Sequence, residues 1–197
     1  MKKNILDKID KSIKVIEASK SLYPQIIKIV NTITKCYRSK HKVILFGNGG
    51  SATDAQHIAS ELVGRLNLQR KSLPAISLTS DTSILTSIGN DFKFDYIFSR
   101  QCESLVEKND VVIAISTSGN SKNVIQGVKT AKKNGAIIIG LLGKKGGKIK
   151  SLVDIPLVVP SNSTTKIQDS HRVLIHVICE LIEEKLFTQN STRLKTK

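Results

Sequence analysis

The sequence has no tryptophan, one methionine, four prolines and three cysteines, and only 4% of its 197 residues are aromatic. The cysteines, Cys36, Cys102 and Cys179, are odd in number, far apart and in no paired ligand spacing. That pattern excludes a disulfide framework and a zinc ribbon and leaves buried free thiols as the reading. No apolar run approaches the ~18 to 20 residues that a membrane span needs, and the opening MKKNILDKIDKS lacks the apolar stretch of a secretory signal. A cytoplasmic chain is therefore expected. Acidic residues are also few, 16 against 31 basic ones, giving a formal net charge of +15. Such an excess raises nucleic acid as a partner. The basic residues, however, gather on the N-terminal stretch (Lys2, Lys3, Lys8, Lys11, Lys14), around Lys144, Lys145, Lys148 and Lys150, and at Arg193, Lys195 and Lys197. Those are solvated faces and ends. With three Tyr and five Phe to offer as stacking platforms and no nucleic-acid-binding motif, the sequence argues against that partner.

The chain holds 40% hydrophobic residues, enough to build the core of one α/β domain of ordinary size. From Ile5 to about Tyr37 the apolar positions (Ile9, Ile13, Ile16, then Ile26, Ile27, Val30, Ile33) recur at helical spacing and are interrupted at Pro24, which reads as a helical hairpin. Residues 1–40 are expected to form an N-terminal helical extension whose apolar face is compatible with an oligomer interface or with packing on its own domain. Short β-branched runs follow: VILF (43–46), AISL (75–78), VVIAI (111–115), AIIIGLL (136–142) and DIPLVV (154–159). Strands apolar on both faces and separated by helical segments predict a five-stranded parallel sheet with helices on each side, a three-layer α/β/α sandwich. A last long helix is expected from Thr164 or Thr165 to about Leu186, with Val173, Leu174, Val177, Ile178, Leu181 and Ile182 as its apolar stripe.

In such sheets ligands bind beyond the carboxyl ends of the strands. The first strand runs into Gly47-Asn48-Gly49-Gly50-Ser51 and then a helix beginning near Ala52. The glycines permit close backbone approach and the helix start favours an anion, although a plain turn would use the same residues. The third strand runs into Ser116-Thr117-Ser118-Gly119-Asn120-Ser121, followed by a helix from about Lys122. Four hydroxyls, a glycine and a helix start within six residues suit a phosphate monoester, whereas simple helix capping needs only one of them. On the helix after the first loop, His57 and Glu61 are four apart and share a face. That spacing serves a metal pair, an acid–base pair or a helix-stabilising contact alike. On the final helix Gln168 and His176 lie about 80° apart and can face one cleft, with His171 to the other side of Gln168. Spacing does not choose between the two histidines.

The stretch FGNGGSATDAQHIASELVGRL, with IGNDF (88–92), AISTSGNS (114–121) and KIQDSHRVLIH (166–176), closely resembles the phosphoheptose isomerases of the sugar isomerase (SIS) superfamily. The likeness covers nearly the whole chain. It implies a single SIS domain over 1–197 with a flavodoxin-like sheet, a homotetramer whose long helices pack together, and active sites between subunits. It further implies conversion of sedoheptulose 7-phosphate to D-glycero-D-manno-heptose 7-phosphate, the first step towards ADP-heptose for the lipopolysaccharide core. Carried over by position, one zinc ion per subunit would be held by His57, Glu61, Gln168 and His176, with Glu61 and His176 as the acid–base pair. The substrate-binding positions would be Asn48, Gly49, Gly50, Ser51, Glu61, Asn90, Asp91, Ser116, Thr117, Ser118, Ser121 and Gln168. Two departures bear on substrate preference: Thr165 stands where some members carry an acidic residue, and the usual Arg-Ile-Gln-Glu reads Lys166-Ile167-Gln168-Asp169. A rival is a non-catalytic relative of the same fold that associates with the replication initiator. It lacks the acidic residue and the histidine at the places of Glu61 and His176, and this chain has both. A third alternative, a regulatory module that senses phosphosugars, would need a DNA-binding domain that the sequence does not display.

Overall fold

The structure, a computed structural model, describes residues 1–188. Its five strands, β1 (Val43–Gly47), β2 (Ala75–Ser77), β3 (Val111–Ser116), β4 (Ile137–Leu142) and β5 (Ile155–Val158), pair in parallel in the order β2-β1-β3-β4-β5. Every residue of β1 and β3 is buried, which is why these runs show no polar alternation: helices cover both faces. The helices are α1 (Lys2–Ala18), α2 (Tyr23–Arg38), α3 (Gly50–Val63), α4 (Thr82–Asp91), α5 (Ser99–Leu105), α6 (Lys122–Lys133) and α7 (Thr164–Glu183). After β1 the chain moves to one side of the sheet for β2 and then returns past β1 for β3. The topological switch therefore lies between β1 and β3, the place where the carboxyl ends of a doubly wound sheet open a crevice.

Two cores flank the sheet. On one face Ile29 and Ile33 of α2, Ile58 and Leu62 of α3, and Ile175 and Ile178 of α7 pack over Leu45, Ile113 and Leu141. On the other, Val124 and Val128 of α6 and Cys102 of α5 pack over Ile44, Val112 and Ile138, and Phe46 stacks on Phe98 with ring centroids 4.9 Å apart. All three cysteines are free and buried, and burial pushes the Cys36 thiol up to about 11 and those of Cys102 and Cys179 to about 12. Such thiols stay protonated and unreactive near neutral pH.

The expected pair of N-terminal helices is present, joined by a 3-10 turn at Ser19–Leu22. They close on α7 more than on each other. α2 buries Ile26, Ile29, Val30 and Ile33, whereas α1 buries no residue at all and leaves Ile5, Leu6, Ile9 and Ile13 about half exposed. Polar contacts at the middle of α1 hold it to α7: the Ser12 hydroxyl donates to Asp169 (2.8 Å) and accepts from Lys166 Nζ (2.6 Å). α7 ends as a regular helix at Glu183 and continues through a π-helical turn over Glu184–Thr188, close to the expected end at Leu186. Among the described residues no helix is long and apolar enough to cross a membrane. The basic positions Arg193, Lys195 and Lys197 lie outside the described residues.

Candidate active site

The two loops singled out by composition emerge side by side at the switch point. After β1, Gly49 adopts φ +54°, a conformation open to glycine, and its carbonyl accepts from the amides of Ala52 and Thr53, so the helix starts at once. α3 begins at Gly50, two residues before the expected Ala52. Gly47 is sterically required, because a Cβ there would press on the Ile115 carbonyl of β3 at 2.8 Å. Ser51 is buried and its amide donates to the Asn48 carbonyl.

After β3, the Ser116 hydroxyl accepts from the Gly119 amide (3.1 Å) and lies 3.4 Å from the Ser121 hydroxyl. Ser118 accepts from the Asn120 amide at 3.2 Å. Ser121 occupies the N-cap position of α6, yet its side chain makes no capping bond, so capping does not account for this run of hydroxyls. Thr117 is half-buried in the same turn.

The loops are tied together by a residue that no motif reading singled out. Asn123, buried near the start of α6, donates to Asn48 Oδ1 (2.9 Å) and accepts from Asn48 Nδ2 (2.8 Å). Its Oδ1 also accepts from the Val124 amide at 2.9 Å. The signal available in the sequence was its place as the second residue of the helix behind a hydroxyl-rich loop.

The His57–Glu61 pair of α3 meets His176 of α7. His57 Nε2 stands 2.9 Å from His176 Nε2 and 3.1 Å from Glu61 Oε1, and all three side chains are half-buried. One ligand atom from each lies within 4.8 Å of the other two, a group that could hold a metal ion. Two imidazole nitrogens and a carboxylate oxygen suit zinc, whose ~2.0 to 2.2 Å bonds allow donors this close to share one ion. Burial first, and then the positive Arg172, hold His57 below the ordinary histidine range, while Glu61 pulls the other way. A neutral imidazole is the form that binds metal.

His171 is not part of this group. It is fully buried, its Nε2 bonds the Leu142 carbonyl at 3.1 Å, and burial pushes it down to about 4. Gln168 is half-buried one turn into α7, and its amide fills the space that a Cβ on Gly50 would need. Asn90 and Asp91 sit at the exposed end of α4, where Asn90 Nδ2 donates to Asp91 Oδ1 at 2.8 Å. Their hydrogen bond is to each other and not to the loops or to the His–Glu–His group.

A hydroxyl-rich loop, a glycine loop and a His–Glu–His group stand together at the switch point of a 2-1-3-4-5 parallel sheet, the architecture of an α/β enzyme of the SIS-domain class, and the SIS domain family model matches residues 6–143. The phosphoheptose isomerase of Geobacter sp. (strain M21) is 51% identical over 170 residues, covering 86% of this chain and 88% of that protein. That of Sulfurimonas denitrificans is 47% identical over 190 residues, covering 95% and 97%. The solved phosphoheptose isomerase of Neisseria gonorrhoeae superposes with a TM-score of 0.89 at 38% identity, over 93% of this chain and 98% of that one. The chain belongs to the phosphoheptose isomerase family, aldose–ketose isomerases built on the SIS domain.

Proposed function

We propose that this isomerase interconverts sedoheptulose 7-phosphate and D-glycero-D-manno-heptose 7-phosphate through an enediol, supplying the heptose of a lipopolysaccharide core, in the cytoplasm. The observation that carries the reading is the meeting of His57, Glu61 and His176 beside two anion-suited loops.

The Ser116–Ser121 turn would take the phosphate with amide and hydroxyl donors and so fix the far end of the sugar. The reacting carbons then lie over α3 and α7. Glu61 has two oxygens for two tasks: Oε1 is turned to His57 at 3.1 Å, which leaves Oε2 to take the C1 proton of the ketose and return it to C2. His176 moves the second proton, taking it from the C1 hydroxyl as the carbonyl forms there and placing one on the C2 oxygen. Positioned acid–base groups of this kind contribute on the order of 10²- to 10⁴-fold each. His57, Glu61 and His176, with Gln168 from the same helix, would hold zinc, one ion per subunit. When bound, that ion supplies polarisation of the carbonyl and charge stabilisation for the enediolate.

The half-exposed Ile5, Leu6, Ile9 and Ile13 of α1, together with Tyr23 and Ile27, support assembly as a homotetramer through the N-terminal helices. The deciding experiment is turnover of sedoheptulose 7-phosphate by purified protein with and without added zinc, beside Glu61→Gln and His176→Gln. Formation of an aldoheptose 7-phosphate by wild type, and its loss in both folded variants, is expected. A zinc-loaded, assembled wild type that leaves this ketose untouched while converting another would move the assignment to that other sugar phosphate.

A further inference from the structure

α3 and α7 face each other along a seam whose residues come in order. On α7, Gln168, Arg172 and His176 are spaced by four and form one ridge that turns only ~40° per step. On α3, Gly50, Asp54, His57 and Glu61 follow the i, i+4, i+7, i+11 pattern of a single face. Gln168 abuts Gly50, and His176 meets His57. Between these two contacts Arg172 Nη2 donates to Asp54 Oδ1 at 2.8 Å. A permanent cation thus stands between Gln168 and the His–Glu–His group.

The Asp54 carboxylate is 3% exposed, and its second oxygen is buried without a hydrogen-bond partner. A buried carboxylate with an idle oxygen gains little stability from its ion pair, since desolvation offsets most of the attraction. It is well suited, however, to hold a guanidinium in one orientation. Arg172 itself is 38% exposed, so the donors not given to Asp54 can reach a ligand. The chemistry calls for such a group. A phosphate dianion and an enediolate must be accommodated where the two loops offer only neutral donors, so a guanidinium would add to the charge that a bound zinc supplies.

We propose that Arg172, oriented by Asp54, contacts the substrate directly, its guanidinium donating to the neighbouring C1 and C2 oxygens and stabilising the negative charge of the enediolate. A planar fork of N–H donors matches two adjacent oxygens on one side of a double bond, a match that a lysine ammonium does not provide. This role rests on the isomerase reading above and adds a substrate-contacting residue to it.

The test compares wild type with Arg172→Gln and Arg172→Lys in steady-state kinetics and in calorimetric binding of two probes. One probe is a phosphosugar hydroxamate that mimics the enediolate, and the other is inorganic phosphate. Removing one preorganised donor to an oxyanion costs roughly 10²- to 10³-fold in kcat. Arg172→Gln is therefore expected to lose kcat on that scale and to weaken hydroxamate binding by a similar factor, with phosphate binding by the folded variant unchanged and a lowered melting temperature, because Asp54 is left buried without its cation. Arg172→Lys should restore the charge but only part of the rate. Wild-type kcat and hydroxamate affinity in Arg172→Gln would overturn the proposal, as would an equal loss for hydroxamate and phosphate, which marks a general distortion. A wild type without turnover on any sugar phosphate tells against the isomerase reading instead. In that case the hydroxamate comparison still decides: a difference between wild type and Arg172→Gln supports the contact, and equal or absent binding overturns it.

Discussion

Arg70 Nε and Glu183 Oε1 meet at 2.6 Å with side chains only 1% and 2% exposed. The carboxylate also accepts from the amides of Leu66, Asn67 and Leu68, and the guanidinium donates to the carbonyls of Glu61, Leu62 and Lys71. One pair thereby joins the end of α7 to the end of α3 and fixes the loop that leads away from Glu61. Burial alone would raise the Glu183 carboxyl, but the three amides and Arg70 outweigh it and hold the group below the ordinary carboxylate range.

Glu183→Gln should cost roughly 3 to 5 kcal/mol, because it leaves the Arg70 charge buried without its counter-ion. Urea unfolding measures this directly. A loss under about 1 kcal/mol would show that water or another carboxylate takes over the guanidinium. The sign with pH follows from the lowered carboxyl: the stabilisation is complete above the unfolded pKa and fades as pH falls through the lower folded one. The variant should accordingly lose part of the acid sensitivity of wild type.

Gly119 has φ +65°, and a Cβ there would collide with the Gly146 carbonyl. The Gly119 carbonyl in turn accepts from the Ile149 amide at 3.0 Å, so the hydroxyl-rich turn and the glycine-rich segment after β4 are packed backbone to backbone. Gly119→Ala must open that contact and shift the hydroxyls of Ser116, Ser118 and Ser121. KM for the phosphosugar should rise about tenfold or more, with kcat less affected, because the turn binds the unreactive end of the substrate. An unchanged KM would mean that the phosphate is held elsewhere.

His171 carries a pH dependence of its own. Fully buried and pushed down to about 4, it is neutral in the folded chain, whereas the unfolded chain takes up a proton near the ordinary value of about 6.5. The unfolded state therefore binds more protons between these values. Stability is complete above ~6.5 and falls by up to about 3 kcal/mol as pH drops towards 4. Denaturant titrations from pH 7 to 4 should show a shallower decline in His171→Gln than in wild type. Parallel curves would assign the acid sensitivity to carboxylates such as Glu183.

The parts of this molecule that were legible in the sequence are those set by local pattern. The β-branched runs identify all five strands because strands covered on both faces need uninterrupted apolar residues, and helical spacing locates α2 and α7. Composition alone marked the Ser116–Ser121 turn, and the resemblance chose His176 over His171, which spacing could not separate. What stayed hidden depends on how distant segments lie against one another. Asp54 and Arg172 pair because α3 and α7 are in register, and Glu183 reaches the 66–68 amides because the loop after α3 folds back over α7. The packing of α1 on α7 was equally out of reach, since a half-exposed apolar stripe has the same spacing whichever neighbour it meets.

Asn123 offers the sharpest separation of structure from charge at the site. Its side chain gives Asn48 one hydrogen bond and receives another, which holds the loop after β1 against the start of α6. Asn123→Ala removes both and leaves the half-buried Asn48 amide to find water, a loss on the order of 1 to 3 kcal/mol. Asn123→Asp keeps the size and the bond accepted from Asn48 Nδ2. It turns the second bond into a repulsion between two oxygens and sets a negative charge beside the turn expected to hold phosphate. If that turn is the phosphate site, Asn123→Asp should raise KM for the phosphosugar further than Asn123→Ala does, despite the smaller change in shape. The excess should shrink with added salt, as screening weakens the repulsion. Equal KM values in the two variants, at low and at high salt, would confine Asn123 to joining the loops and place the phosphate beyond the reach of its charge.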